Sequence, residues 1–60
     1  MTQGQIDAAK SAYNKMMDGI KKENAEMLEA AIAGFEQVNK SGFADTIKWL
    51  GELVYAIRNQ

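Results

Sequence analysis

The chain has 60 residues and a net charge of −1, and it contains no cysteine, histidine or proline. A domain of this size has a small core and usually depends on a disulfide, a metal or oligomerisation for its stability. The missing residue types exclude disulfides, thiolate chemistry and the commonest metal ligand. Good helix formers such as Ala, Glu, Lys and Met are abundant. The composition predicts a single all-α domain over residues 1–60, with no cofactor and no metal.

A helix start is predicted at the N-terminus, where Thr2 and Gln5 have the spacing of a capping box. Apolar residues then keep one helical phase, within an arc of about 100° at 100° per residue. They are Ile6, Ala9, Tyr13, Met16, Ile20, Met27, Ala31, Phe35 and Val38. Two unrelated helices would share a phase only by chance. The stripe therefore favours one continuous helix from about residue 3 to residue 39.

A break near residues 19–24 is the alternative. Gly19 is unfavourable inside a helix and common just beyond a helix end, and Asn24 is a good N-cap for a second helix. A break there predicts a three-helix bundle with helices near 3–18, 24–39 and 43–58. Small residues also form two rows that favour a close approach between helices. These rows are Ala8 with Ala12, and Ala30 with Gly34.

The second boundary lies at residues 39–42, a cluster of turn-forming residues. The last helix, over about residues 43–58, carries two apolar stripes. The main one is Phe43, Ile47, Leu50, Val54 and Ile57, and the second is Thr46, Trp49, Leu53 and Ala56. A helix of ~55 Å would thus precede one of ~24 Å. The preferred prediction is a helical hairpin with one long and one short helix.

Such a hairpin leaves the first half of its long helix uncovered, so a second chain is expected to cover it. The sequence predicts an antiparallel homodimer or a higher oligomer, held by coiled-coil-like contacts. The residues predicted to self-associate are Ile6, Tyr13, Met16, Met17 and Ile20. The last helix is expected to offer a contact to an unidentified protein partner. The residues predicted for that contact are Trp49, Leu53, Tyr55 and Ala56.

The remaining polar residues give little support for a catalytic site or for binding to nucleic acid or a membrane. Residues 23–36 carry four glutamates and no basic residue, whereas residues 1–22 carry four lysines and two aspartates. Glutamates spaced by three residues are typical of a solvated helix side, and the serines lack a histidine base. The lysines form no basic stripe, which disfavours nucleic acid, and the mixed charges of the last helix disfavour a membrane. The sequence predicts no enzyme activity.

The sequence therefore favours a non-enzymatic helical protein-interaction module. It is expected to be a cytoplasmic, homo-oligomeric adaptor, inhibitor or regulatory protein, of the kind that phages and bacteria encode. The cytoplasmic expectation follows from the absence of a recognisable signal peptide. The alternatives are a membrane-active, bacteriocin-like helical peptide and a small helical dimer that binds RNA or DNA.

Overall fold

The first helix begins where the sequence predicts it. In the computed structural model, which describes all 60 residues, α1 spans Gln3–Lys22. The Thr2 hydroxyl oxygen accepts a hydrogen bond from the Gln5 backbone N–H at 3.2 Å, and the Gln5 side-chain oxygen accepts one from the Thr2 N–H at 2.9 Å. This reciprocal pair satisfies two backbone donors that would otherwise be free at the helix start. The predicted capping box is confirmed.

The chain does not continue as one helix, so the preferred sequence prediction was wrong at this point. After α1 the backbone turns at Glu23, which has left-handed torsion angles of φ 50° and ψ 45°. The Glu23 N–H donates to the carbonyl of Ile20 and the Asn24 N–H donates to that of Gly19, a pattern known as a Schellman motif. The Asn24 side chain then accepts from the Met27 N–H at 3.1 Å and caps the next helix.

The break has a physical reason. The turn satisfies the polar groups of both helix ends, and it lets the apolar stripe of α1 pack on that of α2 instead of facing solvent. The three-helix alternative has the right order of elements, but α1 extends four residues beyond its predicted end at residue 18. Gly19 is helical and buried, and the left-handed position belongs to Glu23.

The second and third helices are α2, Ala25–Asn39, and α3, Ala44–Arg58. They are joined at the predicted turn, where the Asn39 side chain accepts a hydrogen bond from the Gly42 N–H at 2.9 Å. The fold is therefore all-α, with three helices and no strand. Both connections are short, so α2 runs antiparallel to its two neighbours, and α1 and α3 run in the same direction.

The central helix is α2, which packs against both others. No Cα atom of α1 lies within 8 Å of a Cα atom of α3. The three helices therefore form an open arrangement with a V-shaped cross-section, in which α2 is the apex and α1 and α3 are the arms. The extents of 39 × 20 × 12 Å agree with this shape, since the molecule is broader than it is thick.

The core is centred on α2 and is small. Leu28, Phe35 and Leu50 are fully buried, but only nine of the 60 residues are buried at all. The α1–α2 contact is close because small residues meet there. A Cβ atom added to Gly34 would lie 3.1 Å from the Cβ of Ala12, and one added to Gly19 would lie 2.8 Å from Leu28 Cδ2. The close approach predicted from the rows of small residues therefore occurs between α1 and α2.

The contact at Gly19 generates a stability prediction. Gly19→Ala is expected to lower the free energy of unfolding by about 1–3 kcal/mol, because the methyl group overlaps the fully buried Leu28 side chain. Gly51→Ala is the matched control, since a Cβ atom there meets nothing within 4 Å. It should raise stability by about 0.5–1 kcal/mol through helix propensity. Urea unfolding measures both, and equal stabilisation by the two variants would contradict the close α1–α2 contact.

The turn at Glu23 generates a second prediction. Glu23→Gly is expected to be more stable than Glu23→Ala by roughly 1 kcal/mol, because only glycine adopts left-handed angles without steric cost. Both variants lose the hydrogen bond that the Glu23 carboxylate accepts from the Gln60 side chain, so that loss cancels in the comparison. Thermal unfolding followed by circular dichroism measures the difference. A more stable alanine variant would indicate that the helix continues through this position.

Candidate protein-interaction surface

Several large apolar side chains remain exposed although the core is small. Their exposed fractions are 43% for Tyr13, 63% for Met17, 38% for Ile20, 50% for Trp49 and 71% for Tyr55. All five belong to the sets predicted for self-association or partner binding. The structure decides which of them lie on a common surface.

On α1, the exposed stripe lies on the side of the helix that is nearer to α3. The Tyr13 ring stands edge-on to Phe35, with the ring centroids 5.0 Å apart, and edge-on to Phe43 at 6.4 Å. Phe43 immediately precedes α3, so Tyr13 is directed towards the space between the arms. Met17 and Ile20 follow Tyr13 at helical spacings of four and seven residues and therefore share its side of α1.

The ion pair between Arg58 and Glu29 shows which side of α3 faces away from α1. Glu29 lies about 180° around α2 from Val38, whose backbone oxygen accepts a hydrogen bond from Gln5 of α1. Glu29 therefore points away from α1, and Arg58 lies on the far edge of α3. Trp49 is about 180° around α3 from Arg58, so it lies on the edge nearer to α1.

The two stripes thus line the same opening of the V. We call this surface the α1–α3 face, and it consists of Ile6, Tyr13, Met17 and Ile20 of α1 with Trp49, Leu53 and Ala56 of α3. These residues were predicted from the sequence to form two separate contacts, and in the structure they line one surface. Met16 and Leu53 are both partly buried and pack against the core. Leu53 follows Trp49 by one helical turn and so also reaches the face, whereas Met16 lies between the buried Ala9 and Ala12 in helical angle and is turned towards α2.

Tyr55 is separated from the other residues predicted for partner binding. It lies about 120° around α3 from Trp49, outside the α1–α3 face. Its side chain is the most exposed aromatic group of the chain. It makes none of the aromatic contacts that hold Tyr13 over Phe35 and Phe43. The two exposed tyrosines therefore form a matched pair: Tyr13 packs at the edge of the core, and Tyr55 makes no aromatic contact.

Charged residues border the α1–α3 face, and their signs differ between its two edges. On the outer edge of α1, next to Tyr13 and Met17 in helical angle, lie Lys10 and Lys21. On the outer edge of α3, next to Trp49, lie Asp45 and Glu52. All four are exposed, and the only ion pair of the structure is the one between Arg58 and Glu29. The face is therefore bordered by positive charge on one side and by negative charge on the other.

These border residues were not recognised from the sequence. A helical projection of each helix shows them beside their apolar stripes, but it does not show that both stripes reach one surface. The positions of α1 and α3 around α2 are needed to show that the lysines of one helix and the carboxylates of the other border the same surface.

A shallow groove lies on the opposite side of the α1–α2 pair. It has a volume of about 380 Å³ and is lined by the predicted rows of small residues together with polar side chains. Its lining includes Ala8, Ser11, Lys15, Ala30, Gly34 and Gln37. None of its lining residues is aromatic. This groove is therefore a weaker candidate for binding than the α1–α3 face.

Chemical sites are not apparent elsewhere. No group of three or more carboxylates is arranged to hold a metal ion. Every buried polar side-chain atom has a hydrogen-bond partner. None of the three helices combines the length and the apolar character needed to cross a membrane. The chain matches no protein-family model, and comparison with curated proteins and with solved structures gives no match.

The two tyrosines generate a prediction. Tyr13→Ala is expected to lower the free energy of unfolding by about 1–3 kcal/mol, because it removes the edge-on contacts with Phe35 and Phe43. Tyr55→Ala should change stability by no more than about 0.5 kcal/mol, as is usual at exposed positions. Urea unfolding of the two variants measures this difference. Similar losses at both positions would contradict the packed position of Tyr13.

Proposed function

We propose that this chain is a non-enzymatic protein-interaction module that binds through the α1–α3 face. The observation that carries the proposal is the position of Trp49. Its side chain is half exposed, and it lies beside Leu53 on the edge of α3 that faces the exposed stripe of α1. Tryptophan and tyrosine are enriched at protein interfaces, where they contribute a large share of the binding energy.

The composition of the surface supports the same function. A surface of aromatic and aliphatic side chains can accept a helix or another helical surface, whose apolar residues would pack against both outer helices. Methionine adds adaptable contacts at Met17. Charges at the edges of the face would orient the partner and discriminate against unsuitable ones. Adaptors, inhibitors and small regulatory proteins work in this way, and we assign the chain to that functional class.

Photo-crosslinking tests the proposal. p-Benzoylphenylalanine in place of Trp49 is expected to give a covalent adduct with a protein when cells of the source organism that express the variant are irradiated. The same group in place of Tyr55 is the matched control, because that position is exposed but lies outside the α1–α3 face. Adducts are detected by mass spectrometry. The absence of an adduct at position 49, or equal yields at both positions, would contradict the proposed interaction surface.

A further inference from the structure

The α1–α3 face has the properties of a self-complementary surface. Its two walls are parallel helices with apolar stripes, and its two edges carry opposite charge. A surface that binds its own copy around a twofold axis must be complementary to itself, so that a contact between two different patches occurs twice, once on each side of the axis. Rotation about an axis parallel to the helices places α1 of one copy beside α3 of the other. That arrangement brings the basic edge to the acidic edge at two symmetric positions.

The heights of the charged residues along the helices support this arrangement. Gly34 faces Ala12 across the α1–α2 contact, and Arg58 of α3 reaches Glu29 of α2. Counting along α2 between these contacts, and allowing for the reach of the Arg58 side chain, places Ala12 and Leu53 within about one helical turn of each other in height. Lys10 and Glu52 then also lie within about one turn, or ~5 Å, a separation that lysine and glutamate side chains span in i,i+4 pairs. Rotation about an axis parallel to the helices preserves height, so Lys10 of each copy would lie beside Glu52 of the other.

The alternative twofold arrangement is electrostatically unfavourable. Rotation about an axis perpendicular to the helices pairs α1 with α1 in antiparallel orientation. Lys10 and Lys21 of one copy would then border the same lysines of the other, and the acidic edges would likewise meet each other. Like charges across an interface disfavour association.

We propose, building on the proposed function, that the partner of the α1–α3 face is a second copy of this chain, with α1 of each copy packed against α3 of the other. Trp49 of one copy lies against the exposed stripe of α1 of its partner, near Ile6 and Tyr13. Lys10 pairs with Glu52 at each edge. The dimer thereby covers the apolar surface that α2 leaves exposed, and it enlarges a core of only nine buried residues. The antiparallel dimer expected from a long continuous helix is replaced by this arrangement, because α1 ends at Lys22.

The mass in solution tests the identity of the partner. Light scattering coupled to size exclusion, over a hundredfold range of concentration, is expected to give twice the chain mass of 6.6 kDa at the upper end. Trp49→Ala should shift the protein to the monomer, and Tyr55→Ala should leave the dimer intact. A monomer at every concentration would overturn the proposal. If photo-crosslinking at position 49 then captured a different protein, the proposed function would stand and only the identity of the partner would be wrong.

A charge exchange tests the arrangement of the two copies. Lys10→Glu and Glu52→Lys are each expected to weaken the dimer by about fivefold, because each places like charges together at both edges. The double variant should restore the dissociation constant to within about twofold of the original. Lys15→Glu is the matched control, since Lys15 is an exposed lysine of α1 that lines the groove on the opposite side. A dimer that is weakened equally by the control, or not rescued in the double variant, would overturn the pairing of α1 with α3.

Discussion

The chain reverses direction at Glu23 and Asn24, and the positions of the other elements follow from this reversal. It turns α1 back along α2 and brings Leu28 against Gly19, directly beside the turn. The hydrogen bonds of the turn satisfy the end of one helix and the start of the next within two residues. The position of α1 on α2 follows from this geometry, as does the contact between Ala12 and Gly34 farther along the pair.

The exposed surface is a consequence of the same arrangement. Since α2 is flanked by both other helices, its apolar residues are shared between α1 and α3. Each outer helix has an apolar arc wider than one contact requires, and the remainder of each arc faces the opening between them. A closed bundle would bury these residues by bringing α1 and α3 together, but their backbones stay apart. The α1–α3 face therefore arises because the apolar arcs of α1 and α3 are wide and because the chain reverses after α1. No dedicated loop or pocket forms it.

Local features of the fold could be predicted from the sequence because their signals lie within a few residues. The capping box at Thr2 and the turn at residues 39–42 are of this kind. The break between α1 and α2 was harder to predict because Ile20 and Met27 keep one helical phase across it. The residue in the left-handed conformation is also a glutamate, and the nearby glycine serves close packing instead of ending the helix.

The composition of the α1–α3 face could be predicted only in part. Its apolar members were recognised from their stripes, but their union into one surface depends on the angle between α1 and α3 around α2. That angle is a tertiary property with no local signal. The opposite charges of Lys10 and Glu52 can be assigned to the two edges of one surface only after both stripes have been placed on that surface. The separation of Tyr55 from Trp49, by contrast, follows from helical geometry alone once the far edge of α3 is identified by Arg58.

An isotope-filtered NMR experiment on a mixture of labelled and unlabelled chains tests the proposed dimer, because it detects contacts between copies only. Intermolecular cross-peaks are expected between the Trp49 indole protons of one copy and the side chains of Ile6 and Tyr13 of the other. Cross-peaks that join α1 to α1 would contradict the arrangement of the two copies. The absence of any intermolecular cross-peak at millimolar concentration would contradict self-association through the α1–α3 face.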